Sequence, residues 1–594
     1  MIDKRTVGVN FDEQGVAQIC LWAPTAREVS LRLANSKADL LLEKTSFGYW
    51  DLTSLRLKPG DTYHFVLDGK ALPDPASLSQ PEGVHGPSQA INLHNFAWED
   101  SKWKNPPQDD YIIYELHTGT FTPEGNFAGI EAKLDYLIEL GITAIEIMPV
   151  AQFPGDRNWG YDGVFPFAVQ NSYGGSKALM HLVNACHQKN LAVILDVVYN
   201  HIGPDGNYLG EYGPYFTQKY KTPWGNAINF DDAGCDAVRR YFIENVLMWF
   251  RDFHIDALRM DAVHALKDFS PKHILQEIKE ETDKLMALTG KAHYLLIEFD
   301  LNDHRFIDPI KKCGYGADAQ WIDEFHHALR VTAGGEQDGY YSDFKSIADL
   351  AKSYRDAYVY DGVYSSHRDK VFGNKASGNP GNQFIVFSQN HDQVGNRMLG
   401  ERSSQLFSFE MQKLMAAAVM VSPYLPLLFM GEEWSAQSPF QFFVSHTDPE
   451  LAEVVRKGRK EEFASFHNKG EAPDPQAKET FERSKLQWDK INNVMLNYYK
   501  TLIALRKSLP ALSNLNRANL SVSCNQEQQT LILQRWHQDQ KVCCLMNFSE
   551  RELPIHLPEK EDWKVVLNSA DAKWVGINSS TQNMQPQSII IYTN

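Results

Sequence analysis

Carboxylic acids stand in or directly after several short apolar segments of this 594-residue chain. Asp261 lies near the end of DALRMDAV, Glu298 lies in LLIEF, and Asp392 ends FSQNHD. Cleavage of a glycosidic bond with retention needs an ionised carboxylate that attacks the anomeric carbon and a protonated carboxyl group that donates to the leaving oxygen. We therefore predict Asp261 as nucleophile and Glu298 as general acid/base, with Asp392 holding sugar hydroxyls and favouring the positively charged ring.

The surroundings of the two acids predict opposite ionisation states. Arg259 lies two residues before Asp261 and so shares its strand face, where its charge favours the ionised aspartate. Glu298 lies among apolar residues, where desolvation favours the protonated form. Further polar residues that could contact sugar hydroxyls stand at the ends of the same or neighbouring segments: His201, His264 and His391.

The elements that must position these side chains alternate between strand-length apolar runs and amphipathic, helix-length segments. Near-continuous apolar strands, each followed by a helix, predict a parallel sheet buried on both faces, and eight such units predict an α/β fold, the (β/α)8 TIM barrel. Active-site residues of such a barrel lie at the C-terminal ends of its strands. The predicted strands are 111–117, 142–148, 191–198, 255–263, 293–299, 317–323, 382–390 and 426–433.

Short β-like segments with turns flank the barrel region on both sides. They predict an N-terminal immunoglobulin-like β-sandwich and a C-terminal β-sandwich. We place the three domains at residues 1–100, 101–510 and 511–594. No G-x-G-x-x-G follows a strand, which excludes the main dinucleotide-binding alternative.

Charge and cysteine usage restrict the partners and the compartment. With 58 basic and 75 acidic residues the chain has a formal net charge of −17, whereas nucleic acid and anionic membranes favour clustered Lys and Arg. Seven scattered cysteines are typical of reduced thiols in a cytoplasmic protein. The N-terminus lacks an apolar signal segment, and no run of ~18 apolar residues predicts a membrane span. We expect a cytoplasmic enzyme with a neutral substrate, no cofactor and no metal ion.

Aromatic residues crowd the loops on the predicted catalytic side, where their rings could stack on the apolar faces of sugars. Segments such as NWGYDG and GPDGNYLGEYGPYF lie in long loops, which are usually functional in a compact barrel. The candidate rings are Trp159, Tyr161, Tyr208, Tyr212, Tyr215, Phe216, Trp224, Trp321, Phe325, Trp434, Phe440, Phe442 and Phe443.

Four of the strand ends resemble the motifs of the α-amylase superfamily of retaining glycoside hydrolases, and in the same order. The motifs read DVVYNH (196–201), DALRMDAVH (256–264), LLIEFD (295–300) and FSQNHD (387–392). The resemblance implies the roles already given to Asp261, Glu298 and Asp392. It also implies that sugar is bound by Tyr161, His201, Arg259 and His391.

Longer segments resemble one family within that superfamily, the trehalose-releasing hydrolases of maltooligosyltrehalose. The similarity includes LWAPTAREVSLRL, YKTPWGNAINFD, DEFHHALRV and LLFMGEEW. It implies hydrolysis of the α-1,4 bond next to the terminal trehalose unit, and a functional pairing with a maltooligosyltrehalose-forming enzyme. It also implies a group of residues that hold the trehalose or the adjacent glucose: Asp323, Phe325, His326, His327, Gln393, Asn396 and Arg397.

Two other functions stay open at this point. Glycogen-branching and debranching enzymes of the same superfamily carry the same N-terminal sandwich, so that domain does not discriminate between them. A non-catalytic glucan-binding protein belongs to a different class, and the complete set of Asp261, Glu298 and Asp392 argues against it.

Overall fold

The computed structural model describes residues 2–36, 38–222, 224–464, 472–557, 562–576 and 580–594. At its centre, eight parallel strands close into a barrel in the order of the chain. They are β1 (Ile113–Leu116), β2 (Ala144–Ile147), β3 (Ala192–Val197), β4 (Ala257–Met260), β5 (Tyr294–Glu298), β6 (Ala319–Trp321), β7 (Phe384–Val386) and β8 (Leu425–Phe429). Each strand overlaps one of the predicted segments, and the predicted barrel is confirmed.

The register of the barrel brings polar residues of neighbouring strands level with one another. Asp196 on β3 pairs with Arg259 on β4, and Glu115 on β1 pairs with Glu146 on β2. Alternate residues of a barrel strand point inward, so residues that are level and on the same face meet inside the barrel. The strand pairing therefore decides which charged side chains become neighbours.

Helices cover the outside of the barrel because their apolar residues recur at helical spacing. In Cys235–Arg251, for example, buried Phe242, Ile243, Val246 and Phe250 form one stripe. The α-helices span Thr118–Phe121, Phe127–Glu131, Leu134–Leu140, Gly175–Gln188, Leu209–Tyr212, Cys235–Arg251, Ile274–Thr289, Asp323–Thr332, Ile347–Asp356, His391–Gly395, Ser403–Leu406, Phe409–Met420, Pro449–Ala464, Lys478–Arg483, Asn493–Ser508 and Pro510–Ser513.

Two antiparallel sheets precede the barrel and bury their inner faces against each other. The first consists of Gly8–Phe11, Ala17–Trp22, Tyr49–Ser54 and Glu43–Lys44. The second consists of Leu40–Leu41, Val29–Leu33, Thr62–Leu67, Lys70–Leu72 and Ser88–Gln89. The strands show the alternating burial of a sandwich, as in the inward-facing Ala17, Ile19 and Leu21.

The C-terminal region is again antiparallel, and a buried arginine fixes it to the barrel. Arg535 donates to the carbonyl oxygens of Val421 at 3.0 Å and Ser422 at 2.8 Å. The main sheet has the order Leu520–Asn525, Thr530–His537, Gln540–Asn547, Ser588–Thr593 and Lys564–Asn568. A second pair of strands consists of Leu553–Pro554 and Asn583–Met584.

Three short hairpins project from loops of the barrel: Ala151–Gln152 with Phe165–Val169, Phe216–Thr222 with Gly225–Ile228, and Val363–Ser365 with Lys370–Phe372. All seven cysteines lie in the described ranges, and no disulfide bond joins any of them there. No helix within those ranges combines the length and the apolar character needed to cross a membrane.

Candidate active site

Arg259 lies inside the barrel and contacts carboxyl groups from neighbouring strands. Its side chain is completely buried. Nη1 donates to Asp196 Oδ2 at 2.8 Å and to Asp261 Oδ1 at 2.9 Å, and Nη2 lies 3.8 Å from Glu298 Oε2. The guanidinium carbon lies 4.4 Å from the centroid of the Trp321 ring. One buried cation thus brings the predicted nucleophile, the predicted acid and a third carboxylate together.

The backbone turn after β4 holds both predicted catalytic groups. Asn200 Nδ2 donates to Oδ2 of Asp261 and to its carbonyl oxygen, both at 2.8 Å. Ala262 adopts a left-handed conformation with φ of 42°, and its N–H donates to Glu298 Oε2 at 2.8 Å. The nucleophile and the amide that binds the acid are therefore adjacent in the chain, which limits how far the two carboxyl groups can separate.

The ionisation of Glu298 follows from its burial. Burial raises the pKa of Glu298 to about 8. The positive charge of Arg259 opposes this rise, and the negative charge of Asp261 adds to it. Burial also raises the pKa of Asp196 and of Asp323, each to about 7. Glu298 is therefore protonated at neutral pH, in the direction that its apolar strand predicts, and is able to donate a proton.

The short helix His391–Gly395 carries the third predicted carboxylate. Asn390 caps this helix, and its Oδ1 accepts from the N–H of Asp392 at 2.9 Å. Asp392 Oδ2 lies 3.5 Å from His391 Nε2, and Oδ1 accepts from Asn396 Nδ2 at 3.2 Å. The Asp392 side chain is 44% exposed, unlike the nearly buried Asp261 and Glu298, so it is open to a ligand.

Tyr161 joins two histidines to this cluster. Its hydroxyl lies 2.7 Å from Asp196 Oδ2 and 2.8 Å from His391 Nε2. His201 Nε2 donates to the carbonyl oxygen of Tyr161 at 2.8 Å. The His201 ring is stacked on Trp224 with centroids 4.4 Å apart, and Trp224 is half exposed. An apolar surface next to the polar cluster is suited to the C–H face of a sugar.

The other predicted contacts lie on the segments that follow β4, β6 and β7. Gln393 Nε2 donates to Asp323 Oδ1 at 3.0 Å, which joins the sixth and seventh strand ends. Arg397 forms an ion pair with Glu336. His264 is partly buried, and burial lowers its pKa. These contacts bring Asp323 and Gln393 together, whereas Arg397 is directed to a separate carboxylate.

Three predicted substrate contacts are wrong, because the helix Asp323–Thr332 turns them away from any open surface. Phe325 is completely buried and packs on the ring of Tyr354. His326 is 1% exposed, with its ring nitrogens hydrogen-bonded to the Ser388 carbonyl oxygen and the Tyr341 hydroxyl. His327 is also buried and packs against aromatic rings. All three side chains are buried, so we correct their role to packing.

Most of the predicted ring platforms are likewise part of the core. Trp159, for example, stacks on Phe440 with centroids 5.2 Å apart. The candidate rings that retain exposure are Tyr161, Tyr208, Phe216, Trp224 and Phe442. The buried candidates, which offer no open ring face to a sugar, are Trp159, Tyr212, Tyr215, Trp321, Phe325, Trp434, Phe440 and Phe443.

Sequence reasoning missed two acidic residues inside the barrel. Glu115 on β1 accepts from the backbone N–H of His391 at 3.1 Å and also binds Nδ1 of its ring. Glu146 on β2 is buried beside it. Each is an acidic residue within an apolar strand, the same pattern that singled out Glu298, and it could have identified them. Within the described ranges no group of three or more His, Cys, Asp or Glu side chains could hold a metal ion; the absence of a metal requirement stays a prediction.

Comparison with known proteins agrees with this geometry. Residues 88–223 match the family model of the alpha amylase catalytic domain, and residues 521–594 match that of the alpha amylase C-terminal all-beta domain. The chain is similar, at 37% identity and a TM-score of 0.91, to a crystal structure of a Salmonella typhimurium protein provisionally described as an alpha amylase. That similarity covers 99% of this chain and 100% of the other. The closed barrel and the clustered acids thus define an α-amylase-type glycoside hydrolase.

Two curated relatives narrow the assignment. The malto-oligosyltrehalose trehalohydrolase of Saccharolobus solfataricus is 50% identical, over 84% of this chain and 87% of its own. The malto-oligosyltrehalose trehalohydrolase of Rhizobium sp. (strain M-11) is 42% identical, over 92% of this chain and 93% of its own. The chain belongs to the malto-oligosyltrehalose trehalohydrolase family.

Replacement of Arg259 by methionine is expected to destabilise the fold strongly, because it leaves buried carboxylates without their cation. We expect the free energy of unfolding, measured by urea titration, to fall by about 3–5 kcal/mol. Arg305→Met is the matched control, since Arg305 also pairs with an aspartate but its side chain is 63% exposed. That control is expected to cost less than about 1 kcal/mol. Equal and small effects of the two substitutions would contradict the assigned role of Arg259.

Proposed function

We propose that this protein hydrolyses the α-1,4 bond next to the terminal trehalose unit of maltooligosyltrehalose and releases trehalose, with retention at the cleaved anomeric carbon. The observation that carries the proposal is the convergence of Asp261 and Glu298 on one guanidinium and one backbone turn. Membership of the trehalohydrolase family supports the choice of substrate.

The two acids divide the reaction between them. Asp261 attacks the anomeric carbon of the maltooligosyl chain while Glu298 gives its proton to the 4-oxygen of the departing trehalose. The glycosyl group is then bound covalently to Asp261. Glu298, now ionised, takes a proton from water, whose oxygen attacks the same carbon and restores the free Asp261 carboxylate. Glu298 loses its proton in the first step and regains one from water in the second, so it starts and ends protonated.

Neighbouring residues bind the sugar at the reacting carbon. Asp392 is exposed to the ligand and carries a negative charge suited to an oxocarbenium-like ring. His391, 3.5 Å from Asp392, and His201, stacked on Trp224, act through these two neighbours, and the exposed Trp224 ring offers an apolar surface to the sugar. On the leaving-group side, the linked pair of Asp323 and Gln393 is our candidate for holding trehalose. Further contacts with that unit are assigned to Asn396, Arg397 and His264.

A cytoplasmic location and a partner reaction complete the proposal. Seven cysteines without a disulfide bond in the described ranges favour a reducing compartment. The substrate carries a trehalose unit at the end of an α-1,4 chain, so a second enzyme must convert the reducing end of a maltooligosaccharide into that unit before this protein acts. We propose the two activities as a functional pair that converts α-glucan into trehalose.

Product analysis on maltooligosyltrehalose tests the proposal directly. We expect free trehalose, together with a maltooligosaccharide whose new reducing end is first seen as the α-anomer by 1H NMR, because two successive displacements retain configuration. The matched substrate is a plain maltooligosaccharide of equal length, which is expected to be cleaved far more slowly.

Three outcomes would contradict this expectation. Absence of trehalose removes the substrate assignment, and an initial β-anomer removes the retaining mechanism. New α-1,6 branches on amylose would instead identify a branching enzyme. Loss of α-1,6 branch points from a branched glucan would identify a debranching enzyme.

The pH dependence of kcat/KM reports the ionisation of Glu298 in the free enzyme. Its pKa is raised to about 8, so the proton needed for the first step is present below that pH and is lost above it. We expect kcat/KM to fall on the alkaline side with an apparent pKa near 8. In Asp323→Asn the fall is expected at lower pH, because a negative charge that raises the pKa of Glu298 is gone. An alkaline limb that does not move in this variant would contradict the assignment.

A further inference from the structure

Glu115 forms hydrogen bonds with His391, the first residue of the helix that carries Asp392. Glu115 Oε2 accepts from the backbone N–H of His391 at 3.1 Å, and Oε1 is hydrogen-bonded to His391 Nδ1. The side chains of Glu115 and His391 are each 1% exposed. Glu115 thus holds both the ring and the backbone of His391, while it is itself closed off from any ligand.

The contacts on the other edge of the ring determine where the protons lie. The Tyr161 hydroxyl lies 2.7 Å from Asp196 Oδ2, an oxygen that already accepts from Arg259 Nη1 at 2.8 Å. An oxygen that faces a guanidinium keeps its lone pairs, so Tyr161 donates its one proton to Asp196. The 2.8 Å contact between the Tyr161 oxygen and His391 Nε2 then requires a proton on Nε2.

The hydrogen bond from Nδ1 to Glu115 requires a second proton, and a ring that carries both is an imidazolium. Charged or titratable groups face this ring from β1 to β4, from the loop after β2, from the residue after β1 and from its own helix: Glu115, His117, Glu146, Tyr161, Asp196, Arg259 and Asp392. Although burial opposes it, the negative charges of Asp392 and Glu115 raise the pKa of His391 to about 9.

Glu146 provides a natural comparison. It is paired in register with Glu115 on the neighbouring strand and is equally buried. Neither of its carboxyl oxygens has a hydrogen-bond partner among the described residues, and burial raises its pKa well above the ordinary value for glutamate. Glu146 is therefore a neutral acid with no hydrogen-bond partner for its carboxyl oxygens among the described residues, whereas Glu115 binds both the backbone N–H and the ring of His391.

We propose that Glu115 is a positioning residue, which keeps His391 as an imidazolium with its Nε2–H fixed between Tyr161 and Asp392. The inference rests on the proposed function, because it assumes that Asp392 binds the sugar ring at the reacting carbon. A fixed cation next to Asp392 orients that carboxylate before the substrate arrives, and preorganised charge of this kind stabilises a transition state more than a ground state.

The test compares Glu115→Gln with the matched control Glu146→Gln. Removal of the Glu115 charge leaves a neutral, less firmly held ring, so we expect kcat to fall roughly 10- to 100-fold, the size of a lost charge-assisted hydrogen bond. KM is expected to change little. Deprotonation of His391 adds a second step to the alkaline limb that Glu298 sets, and this second step is expected to move to lower pH, because loss of an anion lowers the pKa of an imidazolium. Glu146→Gln is expected to keep the wild-type kcat and pH profile.

Nitrogen NMR of protein with 15N-labelled histidine gives a readout that needs no substrate. The His391 signals are assigned by their loss in His391→Gln. We expect both ring nitrogens of His391 to be protonated at pH 7 in the wild-type protein and one of them to be unprotonated in Glu115→Gln.

A neutral His391 in the wild-type protein at pH 7 would overturn the proposal, whether or not the variants fold. So would a Glu115→Gln protein with the kcat, pH profile and histidine signals of Glu146→Gln. If the wild-type protein released no trehalose but its His391 were an imidazolium that depends on Glu115, the proposed function would fail and the positioning role would stand.

Discussion

The buried positive charge of Arg259 is the constraint on which the site depends. A cation removed from water costs several kcal/mol unless anions compensate for it. Here the compensation comes from three carboxyl groups on adjacent strands, at 2.8, 2.9 and 3.8 Å, and from the face of Trp321. The most distant of the three, Glu298, gains least from the cation, so burial dominates its pKa. One buried cation thereby binds Asp261, the proposed nucleophile, and leaves Glu298, the proposed acid, protonated beside it.

A chain of hydrogen bonds leads from the same arginine across the barrel. Arg259 binds Asp196, Asp196 accepts from Tyr161, and Tyr161 accepts from His391. His391 in turn is bound by Glu115. The neutral Tyr161 lies between the oppositely charged ends of this path from β4 to β1, and each member fixes the proton of the next. Because His391 lies 3.5 Å from Asp392, the orientation of Asp392, like that of Asp261, depends on the buried arginine.

The barrel and the position of three acids at its strand ends could be predicted from the sequence, and the lining of the site could be predicted only in part. An apolar run that ends in a polar residue defines a barrel strand and its mouth, so Asp261, Glu298 and Asp392 stand out. The helix after β6 gives no such guidance, because a few residues of a helix face several directions. Asp323 at its start meets Gln393, whereas Phe325 and His326 enter the core. Rings in loops were misjudged for a related reason, since Trp159 packs on Phe440, a residue far away in the chain.

Contacts between side chains on different barrel strands were the other feature that the sequence did not predict. Glu115 and Glu146 are as visible in the sequence as Glu298, but their pairing depends on strand register, and the bond between Glu115 and His391 joins residues 276 positions apart. No local pattern specifies such a contact.

Trapping of the covalent intermediate tests the central claim most directly. A fluorinated glucosyl fluoride, which slows the breakdown of a glycosyl-enzyme, is incubated with the protein, and the digested peptides are analysed by mass spectrometry. We expect one fluorinated glucosyl unit attached to Asp261. Attachment to Glu298 or Asp392, or turnover of the reagent with no labelled peptide at all, would contradict it.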